Sequence, residues 1–429
     1  MARIVVIGGG FAGCQAALTA KKGGGEVTLL ERTDSLTGCA QFAGVYRNNG
    51  EFTAVEEMIA LGGGDIFEIC DSINIHKIDL PGDPPERHVS VYDVTKIEER
   101  IEKALDKAGV EVILQARAVD VKMSNGGIKS VVLADGKELE GDCFIDATGT
   151  MGSVENCKAY GKGCVLCFAR CPTFGSRVSI AAKAGVKETF RCRKDGTPGV
   201  IAAGFVLVKE SLDPSLIEQL EREGVVLVPL PPHLLDPAKF ESIGATWNVR
   251  KAFMENLCMV DNGYAKVRIQ MYMKLKDLHQ IKGLERAKMI DPLSGGVFNH
   301  IKGFDESPID PSLKIKGVDN LFAAGEKTGL AGVAPAAITG AIAGHNALRK
   351  AAGKEYLAIP ASITIGDFMD YCLKKWEVEP AESKSQLNFR CIAYSDRMKE
   401  LGLYSTDREE VRKRVEKAGL LGAMAQRVF

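Results

Sequence analysis

The fold is decided by residues 2–31, which read ARIVVIGGGFAGCQAALTAKKGGGEVTLLE. The pattern predicts an apolar strand over Ala2–Ile7, a glycine-rich turn, a helix of small residues and a second strand over Val27–Leu30. The turn has the spacing G-x-G-x-x-G, and the second strand is followed by an acidic residue, Glu31. A strand, this turn, a helix, a strand and an acid in that order indicate a dinucleotide-binding βαβ unit.

Each part of this unit has a physical role in binding a dinucleotide. The three glycines allow, in order, the tight turn, the approach of a pyrophosphate to the main chain, and close packing of the helix on the strand. The first N–H groups of the helix and its positive dipole end attract phosphate. The acid accepts hydrogen bonds from the adenosine ribose. The predicted cofactor-binding residues of this unit are Gly8, Gly10, Phe11, Ala12, Gly13, Glu31 and Arg32.

The composition limits the classes of function. The chain has 429 residues, enough for two or three domains, and a net charge of −1, so no overall basic field draws it to nucleic acid or to a membrane. The first strand begins at residue 2 and leaves no room for a secretory leader. The most apolar helical run, Leu330–Gly344, is shorter than the ~20 residues that span a bilayer. We therefore expect a cytoplasmic protein without a membrane segment.

A second segment indicates which dinucleotide is expected to bind, namely FAD. Short alternating strands from Val110 to Glu140, with Asn-Gly and Asp-Gly turns, predict a β-meander. The meander leads into CFIDATGT (143–150), a buried strand that ends in Thr-Gly. Large FAD-binding oxidoreductases place such a meander and an A-T-G strand beside their dinucleotide. This resemblance implies that Ala147, Thr148 and Gly149 contact FAD.

A third segment lies far away in the sequence. Val318–Glu326 predicts a strand that ends in a Gly-acid pair, and Ala334–Lys350 predicts a helix rich in small residues. Flavoproteins of the class that these motifs resemble use such a strand, Gly-acid pair and helix to hold the ribityl chain and the isoalloxazine. The resemblance adds three residues to the predicted cofactor-binding set: Gly325, Glu326 and Ala334.

Together these segments predict an α/β fold. We expect a Rossmann-type FAD-binding domain with a three-stranded β-meander, an inserted α+β domain for substrate or redox chemistry, and a C-terminal helical region. The expected boundaries are, in that order, residues 1–155 with 295–355, residues 156–294, and residues 356–429. The stretch Ile73–His88 is expected to be irregular, because Pro81, Pro84 and Pro85 fix extended backbone.

A series of short blocks in the last third of the chain points to a family. The blocks are GLERA (283–287), NH (299–300), DPSL (310–313), NLFAAG (320–325), GAIAGHNA (340–347) and GDF (366–368). In order and spacing they resemble the glucose-inhibited division protein A family. Within it they are most similar to the branch of folate- and FAD-dependent tRNA uridine methyltransferases (TrmFO). The sequence shows no second G-x-G-x-x-G within a βαβ unit, which argues against the disulfide reductases that bind two dinucleotides.

In that methyltransferase branch, one cysteine after the second strand and another in the inserted domain serve methyl transfer. Cys39 and Cys258 lie near those two positions, so the resemblance implies that they are the catalytic thiols. The residues that flank them differ from the family's signatures. A thiolate that adds to uracil C6 needs a lowered pKa, which nearby cations can provide. A buried, inert thiol is the alternative for each cysteine.

A different cysteine pattern occupies residues 157–172, CKAYGKGCVLCFARCP. Its C-x-x-C-x-x-x-C-P run, with a fourth cysteine nearby, resembles iron–sulfur ligation. A [4Fe-4S] cluster is therefore expected there. The alternatives are a tetrahedral zinc site, a redox dithiol, and cysteines that bind no cofactor. The four predicted ligands are Cys157, Cys164, Cys167 and Cys171.

The motifs together predict an FAD-dependent oxidoreductase. NAD(P)H or a small electron carrier would reduce the flavin, and electrons would pass to or from a substrate beside the inserted domain. The iron–sulfur centre is a candidate relay for these electrons. A methylenetetrahydrofolate- and FAD-dependent uridine C5-methyltransferase of tRNA or rRNA is one alternative. An electron-transfer flavoprotein subunit docked on a redox protein partner is another. The sequence leaves open whether the substrate is a small molecule or RNA, and whether the chain forms a homodimer.

Overall fold

The computed structural model describes residues 1–80, 86–150, 171–190, 205–235, 254–268, 273–290, 305–378 and 387–429. The strands in these ranges are β1 (Arg3–Ile7), β2 (Glu26–Leu30), β3 (Val45–Arg47), β4 (Asn74–Leu80), β5 (Glu86–Tyr92), β6 (Glu111–Ile113), β7 (Ala118–Ser124), β8 (Gly127–Leu133), β9 (Glu138–Glu140), β10 (Cys143–Asp146), β11 (Thr189–Phe190), β12 (Val206–Leu207), β13 (Val225–Pro229), β14 (Asn256–Asp261), β15 (Ala265–Arg268), β16 (Asp305–Glu306) and β17 (Leu321–Ala323).

The α-helices in the same ranges vary from single turns to one of 19 residues. They are α1 (Phe11–Lys22), α2 (Ala40–Ala43), α3 (Asn49–Leu61), α4 (Asp65–Ser72), α5 (Ile97–Ala108), α6 (Cys171–Phe174), α7 (Ile180–Lys183), α8 (Pro214–Glu223), α9 (Leu275–Leu278), α10 (Val333–Ala351), α11 (Thr364–Val378), α12 (Ile392–Glu400) and α13 (Arg408–Lys417). Among the described residues, none of these helices is both long and apolar enough to cross a bilayer.

A parallel sheet of five strands, in the order β17-β10-β1-β2-β6, forms the centre of the fold. Parallel sheets are covered on both faces, which explains why four of the five residues of β1 are buried. The carboxyl ends of parallel strands share one edge. The glycine-rich turn after β1, the A-T-G turn after β10 and the Gly-Glu pair after β17 therefore lie along the same edge. This confirms the predicted α/β fold with a Rossmann-type arrangement.

Helices α1 and α10 are in direct main-chain contact. A Cβ added to Gly340 would lie 2.2 Å from the carbonyl oxygen of Ala12, and one added to Gly344 would lie 2.3 Å from that of Ala16. No side chain fits at either glycine, so the small residues of the two helices let their axes approach. The contact fixes α10, which follows β17, against the helix that begins at the glycine-rich turn.

The predicted β-meander is confirmed as an antiparallel sheet in the order β7-β8-β9. The stretch that begins at Val110, which the sequence assigned to the meander, behaves differently. Its strand Glu111–Ile113 pairs in parallel with β2 and closes the edge of the central sheet.

The prediction that Ile73–His88 is irregular is wrong. Strands β4 and β5 pair in antiparallel fashion and form a three-stranded sheet in the order β3-β5-β4. Alternating apolar side chains drive the pairing, because Ile78, Leu80, Val89 and Val91 are buried together on one face. The three prolines fall in residues 81–85, which lie outside the described part of the chain and separate the two strands.

An antiparallel sheet in the order β12-β15-β14-β13 has an apolar core of its own, drawn from residues 205–289. Its other face packs through Cys258 and Val260 on the apolar face of the β3-β5-β4 sheet. A separate core is what an inserted domain requires, although the predicted boundaries themselves stay a prediction.

The buried carboxylate of Glu57 connects helix α3 to the C-terminal region. Its two oxygens accept hydrogen bonds from the main-chain N–H groups of Thr364 (2.8 Å) and Ile365 (2.9 Å) at the start of α11. Arg414 Nη1 lies 3.6 Å from Glu57 Oε1. Burial disfavours the charged form more than these partners favour it, and it raises the pKa of Glu57 to about 7.

The pH dependence of stability tests this assignment. The folded-state pKa lies above the ordinary value of 4.5, so between these pH values the folded protein binds more protons than the unfolded chain. This group's contribution to the free energy of unfolding therefore falls as the pH rises from about 5 to about 7. Glu57→Gln removes that dependence and leaves one N–H badly paired, at a cost of about 1–3 kcal/mol.

Urea unfolding of the wild type and of Glu57→Gln at pH 5, 6, 7 and 8 provides the measurement. The stability advantage of the wild type is expected to shrink with rising pH and to level off above pH 7. An advantage that is constant or grows over this range would show that Glu57 is charged throughout.

Candidate functional site

The turn between β1 and α1 requires two of its glycines for steric reasons. Gly8 has φ +110°, and a Cβ there would lie 2.4 Å from the carbonyl oxygen of Ala147. A Cβ on Gly13 would lie 1.8 Å from the carbonyl oxygen of Gly8. Gly10 differs from both, because its φ is −70° and a Cβ there would meet no described atom within 4 Å. Among the described residues, the space beside the main chain of Gly10 is open.

The loop at Thr37 lies against this turn. The N–H of Thr37 donates to the carbonyl of Gly9 (2.8 Å), and Thr37 pairs with Gly10 through an isolated bridge. The Thr37 hydroxyl is buried and has no hydrogen-bond partner within the described residues. An open main chain at a helix N-terminus, beside an unmatched hydroxyl, fits a phosphate-containing ligand.

Glu31 and Arg32 mark the end of β2. Glu31 Oε2 accepts from the N–H of Gly9 (2.7 Å), and Oε1 accepts from the N–H (2.8 Å) and the hydroxyl (2.9 Å) of Thr33. The carboxylate is thus fixed beside the turn and retains lone pairs for ribose hydroxyls. Arg32 Nη1 donates to the carbonyl of Gly175 (2.7 Å), so this side chain also ties residues 171–190 to the sheet.

Asp146, which the sequence analysis did not single out, shapes the A-T-G turn. Its buried carboxylate accepts from the N–H (3.1 Å) and hydroxyl (2.6 Å) of Thr148, and from the N–H groups of Ile180 and Ala181, both 3.0 Å away. It therefore caps α7 while it holds the loop in place. Gly149 follows at φ +67° and faces open space among the described residues.

The Gly-Glu pair after β17 contacts both other segments, the one after β1 and the one after β10. The Gly325 N–H donates to the Thr339 hydroxyl (2.9 Å), and a Cβ on Gly325 would lie 2.9 Å from the Ala12 Cβ. Glu326 Oε2 accepts from the Thr150 hydroxyl (2.6 Å). The segments after β1, β10 and β17 therefore contact one another directly. Ala334 is buried in the first turn of α10.

A buried lysine beside the Gly-Glu pair was also missed. Lys327 is fully buried, pairs with Glu188 and lies 2.9 Å from the Ser179 hydroxyl. The Ser307 hydroxyl donates to Glu188 at 2.8 Å. The sequence signal of Lys327 is a single basic residue, next to Glu326, in an otherwise uncharged stretch after β17. The inserted segment is the part of the chain between β10 and β17. The Lys327–Glu188 ion pair contacts residues near both ends of this segment, Ser179 and Ser307, and so holds them next to the candidate site.

The two predicted catalytic cysteines have different environments. Cys39 is partly exposed and immediately precedes α2. Its neighbour Gly38 approaches the glycine-rich turn, because a Cβ on Gly38 would lie 3.5 Å from the Gly10 Cα. Cys258 is fully buried on β14 in the apolar contact between the two antiparallel sheets. Apolar burial favours the neutral thiol. Of the two, Cys39 has the better setting for chemistry.

The iron–sulfur prediction is largely untested by the structure. Cys157, Cys164 and Cys167 lie outside the described residues, and Cys171 opens α6. Within the described ranges, no group of three or more His, Cys, Asp or Glu side chains could hold a metal ion.

A protein-family model matches most of the chain. The family model described as "Glucose inhibited division protein A" matches residues 3–224 and 255–355. The chain belongs to this family. The resemblance carried by the sequence blocks is thereby confirmed.

Individual relatives agree with the assignment. The tRNA uridine 5-carboxymethylaminomethyl modification enzyme MnmG of Chlorobaculum tepidum is 25% identical over an alignment 433 positions long. The aligned region covers 88% of this chain and 67% of the relative. The methylenetetrahydrofolate–tRNA-(uracil-5-)-methyltransferase TrmFO of Prochlorococcus marinus is 37% identical over 108 residues, which cover 25% of this chain and 22% of the relative. The matches thus span about two thirds of the first relative and less than a quarter of the second.

Solved structures show the same fold. GidA of Aquifex aeolicus superposes with a TM-score of 0.64 at 18% identity, over 97% of this chain and 76% of that one. A geranylgeranyl bacteriochlorophyll reductase-like protein of Thermoplasma acidophilum superposes with a TM-score of 0.51 at 12% identity, over 100% and 92% of the two chains. At these identities the likeness concerns the fold alone.

Two glycine substitutions separate folding from ligand binding in this family member. Gly13→Ala places a Cβ against a carbonyl and is expected to destabilise the fold by several kcal/mol. Gly10→Ala adds a Cβ in open space and is expected to leave the unfolding midpoint unchanged, while binding of an adenine dinucleotide weakens at least tenfold.

Thermal unfolding and equilibrium titration with FAD measure the two effects. A Gly10→Ala protein that binds FAD as tightly as the wild type would remove the turn from the binding site. A Gly13→Ala protein of full stability would contradict the steric argument.

Proposed function

We propose that this protein is an FAD-dependent oxidoreductase that acts on a uridine of tRNA. The observation that carries the proposal is the direct contact of three distant segments, after β1, β10 and β17, around open space at the N-terminus of α1. Family membership supports the cofactor, and the names of the MnmG and TrmFO relatives support the substrate.

The residues present fit FAD along the edge of the central sheet. The Gly8–Gly13 turn and the Thr37 hydroxyl would hold the pyrophosphate, and Glu31 would bind the adenosine ribose. The A-T-G turn, the Gly325–Glu326 pair and the start of α10 would hold the flavin half. When bound, FAD supplies transfer of an electron pair between a donor such as NAD(P)H and the substrate.

The chain's own residues hold in place the loops that would position this cofactor. Asp146 keeps the A-T-G turn in place through four hydrogen bonds, and Lys327 with Glu188 fixes the connections to the inserted segment. The sheet β12-β15-β14-β13, packed on β3-β5-β4, supports the loop that contains Gly44, because a Cβ there would lie 2.6 Å from the Asn262 Cβ. Gly44 directly follows α2, the short helix that begins after Cys39.

Folate-dependent methylation is a second candidate, favoured by the position of Cys39 beside the turn. In that case the Cys39 thiolate would add to uracil C6, and C5 would attack the methylene carbon of methylenetetrahydrofolate, whose C–N bonds break to release tetrahydrofolate. Loss of the C5 proton, a hydride supplied by reduced FAD to the methylene carbon, and expulsion of the thiolate from C6 would then give 5-methyluridine and free Cys39. The fully buried Cys258 is less suited to a comparable step.

Nucleoside mass spectrometry of unmodified tRNA, incubated with the FAD-loaded protein and NAD(P)H, tests both candidates. The oxidoreductase proposal predicts consumption of NAD(P)H and a modified uridine other than 5-methyluridine, in wild type and Cys39→Ala alike. Methyl transfer predicts 5-methyluridine only when methylenetetrahydrofolate is added, and none with Cys39→Ala.

Cys258→Ala serves as the matched control and should retain the wild-type product in either case. Unchanged tRNA under every condition, with a protein that is loaded with flavin, would contradict the proposed substrate.

An iron–sulfur centre at Cys157, Cys164, Cys167 and Cys171 is proposed from the sequence pattern alone. Anaerobically purified protein is expected to contain iron and sulfide in addition to flavin. Cys167→Ala should remove the iron, the sulfide and the broad visible absorbance and should spare the flavin bands. The control Cys143→Ala, on β10 and outside the pattern, should retain them all. Iron-free protein that contains zinc would refute the cluster.

A further inference from the structure

A buried ion pair lies against the main chain where α10 begins. Arg390 Nε lies 3.2 Å from Glu51 Oε1, and the two side chains are 16% and 3% exposed. Gly332, the residue before the helix, has φ +117°. A Cβ there would lie 3.5 Å from Glu51 Oε1 and 3.9 Å from Arg390 Nη2. Both charges therefore lie within about 4 Å of the Cβ position of Gly332, next to the start of the helix.

Main-chain contacts fix the pair from both sides. A Cβ on Gly50, next to Glu51, would lie 2.5 Å from the carbonyl oxygen of Phe389, next to Arg390. The N–H of Ala331 donates to the carbonyl of Leu387 (3.1 Å). The C-terminal region thus reaches the flavin-side edge of the candidate site at a defined position.

The segment that carries Glu51 also contains a buried amide that the described residues do not satisfy. Asn48, at the start of the segment that carries Glu51, is fully buried. Neither atom of its side-chain amide has a hydrogen-bond partner within the described residues. A buried amide without partners costs free energy unless a ligand or water completes it.

The charges have opposite effects on an electron-rich ligand at this helix end. The N-terminus of α10 and the Arg390 guanidinium attract negative charge, whereas the Glu51 carboxylate repels it. Reduction adds two electrons and one proton to neutral oxidised flavin and leaves a negative charge on its pyrimidine ring. An adjacent cation therefore favours the reduced form, and an adjacent carboxylate favours the oxidised form.

We propose that the Glu51–Arg390 pair sets the redox potential of the bound flavin. Arg390 stabilises the reduced flavin and cancels the carboxylate of Glu51, so the pair keeps the potential between the values that either charge alone would give. This inference rests on the proposed FAD binding. Both are positioning residues, because their charges lie beside Gly332 at the helix end.

The midpoint potential of the FAD-loaded full chain, measured by dithionite titration against reference dyes, tests the inference. Glu51→Gln is expected to raise the potential, and Arg390→Gln is expected to lower it. A tenfold change in the preference for reduced over oxidised flavin corresponds to about 30 mV for this two-electron couple. Each shift should be at least that large, and Arg390→Lys should stay close to the wild type.

The opposite end of the same helix offers a matched control. Lys350 Nζ lies 2.8 Å from Asp319 Oδ1, near the last residue of α10. With 19 residues in the helix, that pair is about 27 Å away. Lys350→Gln and Asp319→Asn each break an ion pair and should leave the potential unchanged.

Shifts of opposite sign for Glu51→Gln and Arg390→Gln, with silent controls, support the inference. Shifts of the same sign, or none, overturn it and leave FAD binding intact. If Arg390→Gln fails to fold, the potentials of Glu51→Gln and Arg390→Lys still test the inference. A pair with a purely structural role predicts no rise in the potential for Glu51→Gln. A wild type that binds no FAD overturns the proposed function together with this inference.

Discussion

Main chain lies directly against main chain in this protein, and the candidate site depends on it. The glycine-rich turn contacts the A-T-G turn through Gly8 and Ala147, and α10 contacts α1 through Gly340 and Gly344. At each contact a single Cβ would overlap a carbonyl group. The three segments that follow β1, β10 and β17 are therefore held by packed backbone, and a site built in this way is organised before its ligand arrives.

Buried carboxylates determine how the more distant parts are attached to this frame. Asp146 and Glu57 each accept main-chain N–H groups at the start of a helix elsewhere in the sequence, and Glu51 pairs with Arg390. An isolated buried charge is costly, so each carboxylate favours the one arrangement in which its partners are present. Electrostatics thus connects the inserted segment and the C-terminal region to the Rossmann-type core.

The sequence predicted what is locally encoded and missed what depends on distant pairing. The βαβ unit was predictable because the three glycines and Glu31 stand at fixed spacings within one stretch. The hairpin of β4 and β5 was missed because prolines between the strands outweighed the alternation of Ile78 and Leu80 with polar neighbours. The contact of Asp146 with α7 and the Glu51–Arg390 pair could not be predicted, since the partners in them are 34 to 339 residues apart.

We propose that this edge of the sheet binds FAD, and equilibrium titration of the flavin-free protein with FAD measures that binding. Saturable binding of one FAD per chain, with quenched flavin fluorescence, is expected, together with competition by ADP-ribose but not by FMN. Absence of binding by a protein that retains its cooperative unfolding transition would contradict it, as would FMN binding with the same affinity as FAD.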